Sequence, residues 1–110
     1  MKKSTILYIG KNLDILKTVV RVINANENWF AIGASNDIEA QENFIKYEIE
    51  VVLLGAGITY ESESMLRSFF TNENPKAIVV QHYGGGSGLL MSEINLALVE
   101  YNEKRECFSK

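Results

Sequence analysis

The residues best equipped for chemistry lie together in one short stretch, Gln81-His82-Tyr83-Gly84-Gly85-Gly86-Ser87-Gly88. His82 is the only histidine in the chain. An imidazole changes charge near neutral pH, so it could act as an acid–base group or accept a phosphoryl group. Nucleophilic catalysis also asks for a nucleophile, a base within reach and a third group to orient the base. No neighbouring Ser, Cys or acid completes such a triad here, and Glu93 is the nearest acid of interest. The favoured role for His82 is therefore hydrogen bonding or capping, and no catalytic residue is assigned. Gln81 and His82 are kept as a possible polar site. The loop Gly84, Gly85, Gly86, Ser87 and Gly88 could cradle an anion, because backbone N–H groups at a helix start attract negative charge. It is not a P-loop, since no lysine follows Gly88, nor the dinucleotide fingerprint, which belongs after the first strand. Its structural reading is a tight turn in place of a last βα unit, with Ser87 as helix cap. Cys107 stands alone in a polar tail without metal-ligand spacing. No metal and no cofactor are expected.

The elements that must position this stretch can be read from periodicity. Ala77 to Val80 is a short, continuous apolar run, the pattern of a strand covered on both faces. Ser4 to Gly10 is β-rich and ends in glycine, and Ile49 to Leu54 is again a nearly continuous apolar run. Trp29 to Ser35 alternates, Phe30, Ile32 and Ala34 against Ala31 and Gly33, and suits an edge strand. Between them lie helical spacings. Asn12 caps a first helix running to about Ile23, and Asn36 or Asp37 caps a second carrying Ile38, Gln41 and Ile45 beside Ala40, Phe44 and Tyr47. A third starts near Thr59 to Ser62, offers Met65, Leu66, Phe69 and Phe70 to the core, and ends before Pro75. The last fills roughly 88 to 104. Four β-then-α units predict a single α/β domain over residues 1–110: a three-layer, parallel, flavodoxin-like sheet of order 2-1-3-4 with right-handed crossovers.

The final helix holds more apolar surface than one sheet can cover. Leu90, Ile94, Ala97, Leu98 and Tyr101 share the stripe expected to face the sheet. Leu89, Leu96 and Val99 fall on another side, at spacings that suit a helix–helix seam. The fourth strand is apolar enough to be interior, yet no fifth strand follows to pair with it. An unprotected edge invites another chain. Self-association through Ile78, Val80, Leu89, Leu96 and Val99 is therefore expected, as a homodimer or other homo-oligomer.

Element order, with Lys3-Ser-Thr-Ile-Leu-Tyr-Ile as first strand, Ile49-Glu-Val-Val-Leu-Leu as third and Ala77-Ile-Val-Val as fourth, resembles the receiver domain of bacterial two-component response regulators, the CheY-like superfamily. The resemblance covers residues 4 to about 83 and implies a signalling module. The motifs of phosphoryl transfer do not match. A receiver carries a magnesium-binding acidic pair after the first strand, where this chain has Gly10-Lys11-Asn12. The acceptor aspartate at the end of the third strand is Gly55, and the hydroxyl residue after the fourth is Gln81 or His82. The fifth strand with its lysine is absent. Magnesium takes hard oxygen ligands and an acyl phosphate forms on a carboxylate; glycine supplies neither. The resemblance thus implies a degenerate, truncated receiver that is not an enzyme and cannot run the phosphorylation switch.

Composition narrows the partners. Hydrophobic residues make up 46% and charged residues 23% of the 110, an ordinary globular balance. A net charge of −3 with a pI near 5.2 argues against nucleic acid, which asks for a basic stripe. The longest apolar runs fall well short of the roughly 20 residues of a membrane span, so no membrane partner and a cytoplasmic location are expected. Two functions follow: a non-catalytic receiver-like interaction module acting through self-association or an unnamed protein partner, and, as the alternative, an α/β domain holding a small anionic ligand at Gly84 to Gly88.

Overall fold

The computed structural model describes residues 3–55, 57–82 and 86–108. Strands β1 (Ser4–Ile9), β2 (Trp29–Ala34), β3 (Val51–Leu54) and β4 (Ile78–Gln81) alternate with helices α1 (Leu13–Asn24), α2 (Asp37–Lys46), α3 (Tyr60–Glu73) and α4 (Gly86–Phe108). All strand pairs are parallel and their order is β2-β1-β3-β4, as the four βα units predict. Among the described residues no fifth strand follows β4.

Local chemistry starts each of the first three helices. The side chains of Asn12, Asn36 and Thr59 accept the backbone N–H three residues on, at 3.1, 2.9 and 3.1 Å. Each satisfies one of the donors that a helix start leaves unpaired. At α2 the Glu39 carboxylate reaches back to the Ser35 backbone N–H and hydroxyl at 2.9 and 3.0 Å. Those two bonds hold its carboxyl below the ordinary carboxylate value.

Side chains alternate across the sheet and build two cores. Ile6, Tyr8, Val51, Leu53 and Ile78 meet α1 and α4 on one face. Leu7, Ile9, Val52 and Leu54 meet α2 and α3 on the other, where Phe44 and Phe70 stack with centroids 4.5 Å apart. The central strands are buried on both sides, which explains their continuous apolar runs. The last helix covers the α1 face through Leu90, Ile94, Ala97 and Tyr101, all buried, with Leu98 half-buried beside them. Without it α1 would be the only cover for a four-strand face.

Several finer expectations are corrected. On β2 Trp29, Ala31 and Ala34 are buried, one of them from the expected Phe30, Ile32 and Ala34 line, while Phe30 lies exposed near the Tyr47 ring. Ile38, Ile45 and Met65 are exposed; Ala40, Phe44, Leu66 and Phe70 take the core positions. Strand β3 begins at Val51 rather than Ile49, and α4 begins at Gly86, which places Ser87 inside the first turn rather than at its cap.

Candidate functional site

In a parallel sheet with this topology, reactive groups collect at the carboxyl ends of the strands. Here that end is filled. Tyr8, the penultimate residue of β1, is 2% exposed and lays its ring across the positions just after β1 and β3. A Cβ added at Gly10 would lie 2.9 Å from Tyr8 Cε2. One added at Gly55 would lie 2.3 Å from Tyr8 Oη, 2.7 Å from Cζ and 2.9 Å from the Ile9 carbonyl. Both glycines are therefore the room that an aromatic ring needs. Burial pushes the Tyr8 phenol above its ordinary value, so it stays protonated. Between β3 and α3, Gly57 adopts a left-handed backbone (φ 89°) and packs against Lys11, the residue after Gly10.

His82 closes the far side of the same end. Its backbone N–H donates to the Leu54 carbonyl at 2.8 Å, its Nδ1 meets Glu93 Oε1, and its ring stands edge-on to Tyr8 at 6.4 Å. His82 is 7% exposed. The pair ties the end of β4 to the second turn of α4. Gln81 Nε2 donates to the Leu54 carbonyl at 3.0 Å. The Gln81–His82 polar site thus consists of internal bonds, with Glu93 as the partner the sequence suggested. Of the glycine loop, Gly84 and Gly85 lie outside the described residues, Gly86 to Gly88 belong to α4, and Gly88 has open space where a Cβ would stand. Among the described residues no cluster of three His, Cys, Asp or Glu side chains could hold a metal, and no helix is long and apolar enough to cross a membrane.

A second surface lies along the sheet edges, which the fold treats unequally. Along β2 four outward groups are met by side chains. Asn24 bonds both the N–H and the carbonyl of Ala31, at 2.8 and 3.3 Å. Asn43 donates to the Gly33 carbonyl at 3.2 Å, and Glu39 takes the Ser35 N–H. On β4 the N–H groups of Ile78 and His82 donate inward, to Glu50 and Leu54. By the two-residue repeat of a strand, Val79 and Gln81 point their N–H and C=O groups outward. No hydrogen bond among the described residues engages those four groups. They open into a groove of about 530 Å³ between Arg67 and Thr71 of α3 and Glu100 and Lys104 of α4. Elsewhere on α4, Leu89, Leu96 and Val99 are exposed by 46%, 71% and 59%. Of the predicted self-association residues, Ile78 is buried in the α4-side core, Val80 is half-buried on that face, and Leu89, Leu96 and Val99 are at the surface of α4.

The residue that sequence reasoning missed is Tyr8. Its signal was available: an aromatic residue two positions before Gly10, with a second glycine, Gly55, at the matching end of another central strand.

No family model matches the sequence, and no curated protein matches it. Solved structures do match the fold. The signal receiver domain of an HD domain-containing protein from Pseudomonas fluorescens superposes with a TM-score of 0.81 at 13% identity, over 96% of this chain and 94% of that one. NtrX from Brucella abortus, solved in complex with ATP, gives 0.80 at 17% identity over 94% of this chain and 29% of its own. Vibrio cholerae CheY4 gives 0.65 at 12% identity, over 86% and 98%. The likeness shows that this chain has the fold of a response-regulator receiver domain, with four strands among its described residues.

Proposed function

We propose that this chain is a non-catalytic signalling module that uses the receiver fold without phosphorylation and acts by binding protein, first of all a second copy of itself. The observation that carries the reading is the Tyr8 ring. It takes the space beside position 55, where the resemblance would put an acceptor carboxylate, and Gly10, Lys11 and Asn12 offer no acidic pair for magnesium. A module that has given up the phosphoryl switch still needs an output surface. The unpaired edge of β4 and the exposed leucines of α4 supply one.

Two measurements test the two halves. After incubation with acetyl phosphate and magnesium, intact-mass spectrometry should show no added phosphoryl group, for the wild type and for Gly55→Asp alike. An adduct on the wild type would overturn phosphorylation independence. Light scattering across the micromolar range should report a mass above that of one chain. A monomer at every concentration would remove self-association.

A further inference from the structure

We infer that two copies join β4 to β4 in antiparallel register, centred on Val80, so that the two sheets become one of eight strands and the two α4 helices pack against each other across the axis. The inference rests on the self-association reading above and gives it a geometry. Among the described residues, Val79 and Gln81 alone leave both backbone groups free on this edge, since Ile78 and His82 bond inward and the Ala77 N–H donates to Asn74. In an antiparallel ladder, residues two apart on one strand form hydrogen-bonded pairs with residues two apart on the other. Setting Val79 against Gln81 of a second copy, and Gln81 against its Val79, satisfies all eight groups of these two residues in the two copies with four bonds. A register centred on Val79 would instead set Gln81 against Ala77, whose N–H is already engaged. The satisfied arrangement puts Val80 opposite its own symmetry mate.

The helices agree independently. A two-fold axis perpendicular to the sheet keeps both α4 helices on the same face, running antiparallel. Because α4 lies over β4 and β3, its axis stands about one strand spacing from the two-fold. The two axes are then two spacings apart, about 9.6 Å, inside the roughly 8–10 Å at which helices pack. The flank of α4 turned to the edge is fixed by Glu93, which holds His82, and by Glu100 and Lys104, which line the groove. Leu96 falls between Glu93 and Glu100 on that flank and is 71% exposed. Pairing the strands brings Leu96 towards its symmetry mate above the two Val80 side chains. The groove carries charges of both signs, so a copy of itself is not repelled.

Cysteine cross-linking tests the register, in a Cys107→Ser background. Opposed residues of a non-hydrogen-bonded antiparallel pair have Cα atoms about 4.5 Å apart, within the reach of a disulfide. Val80→Cys should therefore convert almost fully to a covalent dimer under mild oxidant. Val79→Cys should not, because its mate lies two residues off register, about 8–9 Å away and beyond that reach. A wild-type dimer in which Val79→Cys links, or Val80→Cys does not, overturns this geometry while self-association stands. A wild-type monomer overturns both. Hydrogen exchange on the wild type needs no variant: the Val79 and Gln81 amides should slow by at least roughly tenfold from dilute to concentrated protein. Unchanged exchange in a proven dimer also rejects the strand pairing.

Discussion

Gly55→Ala asks whether the end of β3 is a vacant acceptor position or a space that Tyr8 already fills. The added methyl would sit 2.3 Å from Tyr8 Oη, 2.7 Å from Cζ and 2.9 Å from the Ile9 carbonyl. All three distances are below van der Waals contact, and the third atom is backbone in a central strand. The Tyr8 ring cannot retreat freely, because it is buried with His82 at its edge and Gly10 beneath it. Overpacking a core of this kind costs about 1–3 kcal/mol, and the backbone contact argues for the upper half of that range. At about 4 °C per kcal/mol for a chain of this size, the melting temperature should fall by about 8–12 °C. Replacing Tyr8 by Leu removes the two ring contacts and leaves the Ile9 contact. Added to Tyr8→Leu, the alanine should therefore cost only about 1 kcal/mol, a coupling of about 1–2 kcal/mol. Urea unfolding of the wild type, the two single variants and the double variant measures it. Costs that add to within about 0.5 kcal/mol would show that Tyr8 does not occupy this position.

His82→Ala should destabilise by about 1–3 kcal/mol, because it leaves the part-buried Glu93 carboxylate without its partner; Glu93→Gln, which keeps a hydrogen-bonding group there, should cost less, and the reverse order in urea unfolding would contradict the pairing. Asn24→Ala strips two bonds from the edge of β2 and should cost about 1–2 kcal/mol by the same measurement, against no change if those bonds are incidental. Glu39 has a depressed value in the folded state, so its contribution is present above the unfolded carboxylate value and fades as pH falls through the folded one. Stability of the wild type should therefore drop between about pH 5 and pH 3 more steeply than that of Glu39→Gln; parallel profiles would show that the Ser35 bonds carry no linkage.

Most of the fold was legible because it follows from local pattern. Continuous apolar runs at Ile6 to Ile9 and Val51 to Leu54 mark the central strands, buried on both faces, the run Ile78 to Val80 marks a partly buried edge strand, and four βα units leave few topologies. The stripe Leu90, Ile94, Ala97 and Tyr101 was readable from spacing alone and is buried as expected. Exposure at the ends of the sheet was not readable. Ile38, Ile45 and Met65 sit on helical lines adjacent to the core line, and only the packing of α2 on α3 decides which line turns inward. The site was harder. Gly10 and Gly55 could be recognised as positions lacking carboxylates, but their use is steric, and it depends on a ring from another part of the chain. A single sequence shows what a residue cannot donate more readily than what it makes room for.

The side-chain closure of β2 has a consequence for growth. A parallel sheet with two open edges is a building block without an end, since each added copy offers a fresh edge to the next. Asn24 occupies the N–H and carbonyl of Ala31, Asn43 the Gly33 carbonyl and Glu39 the Ser35 N–H, so a strand arriving on that side finds most of its hydrogen bonds already taken. With β4 pairing as proposed, the chain has one docking edge and one terminus. Polymerisation by strand addition then stops after a single step, and three polar side chains on the far side of the molecule separate a finite complex from a fibre.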